Sequence, residues 1–206
     1  MTRYFLKFII ILILTNLSFT SVANDKILLI GDSLSAGYGL KQAQAWVYLL
    51  QNKYSDDNIP ITIINTAISG QTTDNALLKI DTWLETHQPS HVLIELGGND
   101  GIRGFPVKLL QKHLNLLITK SQQHGAKVAL MEIQIPPNLG PRYLQMFTDS
   151  YNKVAKQTGA YLMPFFMESI AIDSSLMLND NLHPNVKAQP IIRDFMDKEI
   201  TKWLQK

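Results

Sequence analysis

At 206 residues and 46% hydrophobic composition, the chain is sized for a single domain with a substantial core. Its 19 Lys and Arg against 17 Asp and Glu give a net charge of only +2, which excludes the concentrated basic surface of a nucleic-acid binder. The absence of cysteine excludes a disulfide framework, a thiol nucleophile, a thiolate metal site and lipid attachment through a cysteine.

The first element is not part of that domain. Arg3 and Lys7 precede an apolar run over residues 8–14, and the small residues Ser21-Val22-Ala23 follow. Basic, apolar and small stretches in this order form a secretory signal peptide. A spanning helix needs roughly 20 apolar residues, and Thr15, Asn16 and Ser18 interrupt this run early. Cleavage after Ala23 is expected, with an uncleaved anchor as the alternative. Residues 24–206 then remain as one exported domain, periplasmic or secreted, with no stable membrane anchor. Loss of Arg3 and Lys7 leaves 17 charges of each sign.

From residue 26 onward, strand-like and helix-like patterns alternate, which signals parallel βαβ units. The expected strands are 26–30, 61–65, 91–96, 127–133 and a short 160–163. Most are nearly continuous apolar runs, as strands covered on both faces require. Between them, 45–53, 74–86, 107–124 and 142–158 carry apolar residues at helical spacing, for example Leu110, Leu114 and Leu117. A final helix is expected after Pro184. The fold class is α/β, a three-layer α/β/α sandwich around a five-stranded parallel sheet.

Catalytic sites in such sheets lie at the carboxyl ends of the strands. The segments after three expected strands carry Gly31-Asp32-Ser33, Ser69-Gly70 and Gly97-Gly98-Asn99-Asp100. A serine hydroxyl is a poor nucleophile unless a base, itself oriented by a third group, takes its proton. Of the five histidines, His87, His91, His113 and His124 have no acid placed in the sequence to orient them. His183 follows Asp180 by three residues in Asp180-Asn181-Leu182-His183-Pro184. One turn can therefore supply both base and orienter, with Pro184 starting the last helix and His183 near its N-cap. Acyl transfer also needs donors for the developing oxyanion. The Ser33 N–H, the Gly70 N–H and the Asn99 amide all lie just beyond strands.

These blocks resemble, in order, those of the SGNH hydrolases, also called GDSL esterases and lipases. The resemblance runs through Gly31-Asp32-Ser33-Leu34-Ser35, Gly70, Gly98-Asn99-Asp100 and Asp180-x-x-His183-Pro184, and so spans nearly all of residues 24–206. The stretches Gly97 to Gly104 and Pro164-Phe165-Phe166-Met167-Glu168 are similar to its bacterial periplasmic branch of thioesterase, protease, lysophospholipase and arylesterase activity. The resemblance implies a flavodoxin-like strand order, with Ser33 as nucleophile, His183 as base and Asp180 as its orienter. It also implies Ser33, Gly70 and Asn99 as oxyanion donors, and neither metal nor cofactor. The implied substrates are acyl esters and thioesters, including fatty acyl thioesters, lysophospholipids and aryl esters; separately, a monomer is expected.

Further readings stay open at this level. Ile102, Phe105, Pro106, Pro137, Leu139 and Tyr143 fall in segments 102–107 and 135–143, which are expected to line an acyl groove under a flap hinged at Gly101 and Gly104. Asp32 is a rival partner for His183, although it is expected to hold its own loop. Glu95 and Glu132 interrupt apolar strands and invite a paired-carboxylate reading, against the simpler one of acids satisfied by polar neighbours. The remaining histidines and glycines complete no metal, dinucleotide or phosphate motif. The rival functions are a carbohydrate acetylesterase on the same scaffold and a non-catalytic flavodoxin-like module that cradles an anion.

Overall fold

The computed structural model describes residues 24–206, so the expected signal peptide lies outside the described residues. Five strands form one sheet: β1 (Asp25–Gly31), β2 (Ile61–Asn65), β3 (His91–Glu95), β4 (Lys127–Met131) and β5 (Tyr161–Met163). They run in the order β2-β1-β3-β4-β5 and every pairing is parallel. The order agrees with the flavodoxin-like expectation. Ile27 to Ile30 in β1 and Val92 to Ile94 in β3 are buried, because the two central strands are covered on both faces.

Right-handed crossovers decide which helix covers which face. The step from β1 to β2 runs one way along the sheet and carries α2 (Trp46–Asp56) to one face, after the single turn α1 (Ser33–Ala36). The later steps run the opposite way and lay their helices on the other face. These are α3 (Thr73–Leu77), α4 (Ile80–His87), α5 (Gly98–Ile102), α6 (Val107–Gln123) and α7 (Pro141–Thr158). The last helix, α8 (Gln189–Leu204), returns to pack beside α2.

The reversal of direction falls between β1 and β3. Their carboxyl ends are therefore splayed by departing loops, and a crevice opens there. The register pairs Gly31 with Glu95 at that rim.

Several boundaries differ from expectation, three of them with a clear physical reason. The helix expected over 74–86 is broken into α3 and α4 at Leu78 and Lys79. Leu78 is 83% exposed there, so an apolar residue counted towards one helical face points outward. The strand expected over 127–133 stops at Met131, and Glu132 continues only through an N–H bond to the Met163 carbonyl (2.9 Å). The last helix begins at Gln189 rather than beside Pro184. Pro184 instead forms an antiparallel bridge with Met177, and the Leu178 N–H donates to the His183 carbonyl (2.8 Å).

Candidate active site

β1 delivers Ser33 to the crevice. Asp32 caps α1 by accepting the Leu34 N–H at Oδ1 (3.1 Å). The Asp32 N–H donates to the buried Glu95 carboxyl at 3.3 Å. Neighbouring donors on both sides of Ser33 are thus engaged, whereas the Ser33 N–H has no partner among the described residues.

The loop before α8 brings the base. Its Asn185 side chain donates to the Ser175 and Met177 carbonyls (2.9 and 3.0 Å). Buried Gln189 fixes the loop's far side, accepting the Trp46 N–H (2.9 Å) and donating to the Asn185 carbonyl (3.2 Å). Held in this way, the His183 Nε2 lies 2.9 Å from Ser33 Oγ, and Nδ1 lies 2.7 Å from Asp180 Oδ2. Because a carboxylate accepts at Nδ1–H, Nε2 keeps its lone pair for the serine proton.

Asp180 Oδ1 meanwhile accepts the Leu182 and His183 N–H groups (2.9 and 3.0 Å). Partial burial raises the Asp180 carboxyl, but these backbone donors and the imidazole outweigh it and hold the group down at about 2. It is an anion throughout the neutral range. The Tyr38 ring lies over His183, with centroids 4.3 Å apart.

Two further segments close the opposite wall. Gly97 has φ of +114°, and a Cβ there would lie 2.1 Å from the Tyr151 hydroxyl, which donates to the Leu96 carbonyl (3.0 Å). Only glycine fits that turn, and α5 starts immediately after it. Asn99, the second residue of α5, donates its amide to Asp32 Oδ2 at 3.1 Å.

Asp100 is buried and accepts from both the hydroxyl and the N–H of Thr73, the latter at 3.0 Å. Arg103 Nη2 reaches the Gly70 carbonyl at 3.3 Å. The loop carrying Gly70 is thereby tied to the helix carrying Asn99. Gly70 has φ of +78°, and its N–H is unpaired among the described residues.

The structure therefore brings Ser33, Gly70, Asn99 and His183 to the wall of one cavity of about 570 Å³, with Asp180 behind the imidazole. The lining beyond these residues is largely apolar, including Ile133, Ile135, Phe165, Met167 and Met177. Of the residues expected to line a groove, Ile102 and Pro137 do so. Phe105, Pro106, Leu139 and Tyr143 do not. The Tyr143 hydroxyl donates to the Phe105 carbonyl (2.7 Å) and its ring stacks on Phe147, so this pair braces the loop instead. Gly101 lies within α5, where a Cβ would lie 2.7 Å from Phe147 and 2.9 Å from Ile135, so glycine permits a close approach there.

Sequence reasoning missed Tyr38, three residues beyond the Gly31–Ser35 block, and Leu182, inside the Asp180–Pro184 block, although both lie on this cavity wall. It also missed Phe165 and Met167, quoted only as part of a resemblance. Asp32 serves Asn99 and its own turn rather than His183. Glu132 accepts from the Asn152 amide (3.0 Å), in keeping with the simpler reading. One histidine does have an acid nearby, contrary to expectation: His91 Nδ1 lies 3.4 Å from Asp25 Oδ1. Both residues start strands, so they sit at the end of the sheet opposite Ser33.

A hydroxyl bonded to an imidazole, itself bonded to a carboxylate above the carboxyl ends of a parallel sheet, defines the class of serine acyl hydrolases. Comparison with known proteins narrows the class. The GDSL-like Lipase/Acylhydrolase family profile matches residues 29–189, and the chain belongs to this family of ester hydrolases. The chain is 44% identical over 188 residues to an arylesterase of Vibrio mimicus, covering 91% of this chain and 94% of that one. It is 39% identical over 198 residues to thioesterase 1/protease 1/lysophospholipase L1 of Escherichia coli K12, covering 96% and 92%. Among solved structures, the psychrotrophic esterase EstA from Pseudoalteromonas, inhibited by monoethylphosphonate, shares 55% identity with a TM-score of 0.88. That match covers 88% of this chain and all of that one.

Proposed function

We propose that the protein hydrolyses acyl esters and thioesters, including lysophospholipids and aryl esters, with Ser33 as nucleophile. The observation that carries this reading is the unbroken relay from Ser33 Oγ through His183 to Asp180, opening on an apolar cavity. As Ser33 Oγ attacks the carbonyl carbon, Nε2 takes its proton, and the imidazolium that forms faces the anionic Asp180. The Ser33 and Gly70 N–H groups and the second amide hydrogen of Asn99 are the donors for the oxyanion. The imidazolium then protonates the leaving alcohol or thiol. Water attacks the acyl-enzyme with the same histidine as base, regenerating Ser33.

The cavity favours an acyl chain over acetate. Each methylene moved from water onto an apolar wall contributes about 0.8 kcal/mol, or roughly fourfold in kcat/KM. Across p-nitrophenyl esters, kcat/KM is expected to rise by about one order of magnitude from acetate to butyrate, and to keep rising to the hexanoate. A steep fall beyond acetate would instead identify a carbohydrate-type acetylesterase. Export through residues 1–23, with action outside the cytoplasm as a monomer, belongs to this proposal and rests on the sequence pattern.

A further inference from the structure

Glu95 is the one fully buried carboxyl beside the nucleophile turn that the mechanism does not use. It ends β3 directly beneath the Ser33 turn. Its Oε2 accepts the Ser35 hydroxyl (2.8 Å) and the Asp32 N–H (3.3 Å), and thus grips the residue before the nucleophile and the residue two after it. Its Oε1 has no partner among the described residues. The Gly31 of the motif exists for this group, since a Cβ at that position would lie 2.7 Å from Glu95 Oε2.

The surroundings carry excess negative charge. Asp32, itself buried, donates its N–H to Glu95, and burial together with the charges of Asp100, Asp32 and Glu95 pushes the Tyr151 hydroxyl on α7 well above its usual range. Asp100 on α5 acts on Asp32 as a further like charge, which the nearby His183 offsets in part. Two adjacent carboxyls without a dedicated cation cannot both ionise cheaply, so one keeps a proton. Asp32 has the Leu34 N–H and the Asn99 amide to satisfy an anion, whereas the fully buried Glu95 leaves one oxygen without a partner among the described residues. An unpaired buried oxygen is far less costly on a neutral acid than on a carboxylate. Burial pushes both groups up, Asp32 to about 6 and Glu95 well above the usual carboxylate range.

We propose that Glu95 is a positioning residue that stays protonated through turnover, clamping the nucleophile turn and leaving the negative charge on Asp32, where it orients the Asn99 amide. The proposal rests on the esterase reading of the Ser33 site.

The test uses the protein with Glu95→Gln and Glu95→Ala. Glutamine matches a neutral carboxyl in shape and accepts the same two hydrogen bonds. Glu95→Gln is therefore expected to keep kcat within about threefold of wild type at pH 8, whereas Glu95→Ala loses roughly 10²-fold in kcat with little change in KM. Independently of activity, infrared spectra at pH 7 should show the carbonyl stretch of a protonated carboxyl in the wild type, absent in Glu95→Gln. This arm stands even if Glu95→Ala does not fold. A Glu95→Gln protein more than tenfold impaired, or a wild type lacking that band, overturns the proposal. An inactive wild type that shows the band would count against the esterase reading instead.

Discussion

Replacement of His183 by alanine is expected to lower kcat on a soluble ester by about 10⁴ to 10⁶-fold. The size follows because no other described residue stands in place to act as base. Among the described residues Ser33 Oγ has one side-chain partner, the His183 Nε2 at 2.9 Å. The acid nearest in sequence, Asp32, already receives the Leu34 N–H and the Asn99 amide. Without the imidazole, the hydroxyl must attack while still carrying its proton. The fold should survive, because the loop is held by Asn185, Gln189 and the Met177–Pro184 bridge rather than by the ring. Far-UV circular dichroism and thermal melting of the variant check this point, and a loss below tenfold in kcat would remove His183 from its role. In the wild type, activity should fall as the medium becomes acidic enough to protonate the imidazole, since an imidazolium has no lone pair to offer. Asp180, held at about 2, remains charged across that range.

Asn99→Ala should lower kcat by about 10² to 10³-fold, with KM changed much less. The amide donates one hydrogen to Asp32 Oδ2, which fixes its plane and leaves the second hydrogen for the oxyanion. Donation there strengthens as charge moves onto the carbonyl oxygen, so the loss falls on the transition state more than on bound substrate. The variant also strips a donor from Asp32, whose carboxyl already sits at about 6 because it is buried. Steady-state kinetics on one p-nitrophenyl ester separate the two parameters. An unchanged kcat would show that Asn99 only holds Asp32 in place.

The fold was legible because its signal is periodic and dense. The expected strands 26–30 and 91–96 carry nearly continuous apolar runs of strand length, and Leu110, Leu114 and Leu117 repeat at helical spacing. The candidate residues Ser33, Gly70, Asn99, Asp180 and His183 were legible because each follows a strand or stands in a tight polar turn with a stated chemical need. The cavity wall was not. Whether Phe105 or Phe165 faces the crevice depends on loop paths, and those are set by contacts far apart in sequence, such as the Tyr143 hydroxyl on the Phe105 carbonyl. The helix start at Gln189 was hidden for a similar reason. Pro184 suits a first helical turn, but it is used in a bridge to Met177 that no local pattern announces. Glu95 looked like an anomaly in a strand until the Gly31 opposite it supplied the room.

The most direct measurement is intact-protein and peptide mass spectrometry after treatment with a reactive phosphonate ester, alongside residual esterase activity. A single adduct on the peptide carrying Ser33, forming in step with loss of activity and absent from Ser33→Ala, is the predicted result. An adduct on another residue, or full inactivation with Ser33 unmodified, would contradict the assignment of Ser33 as the nucleophile.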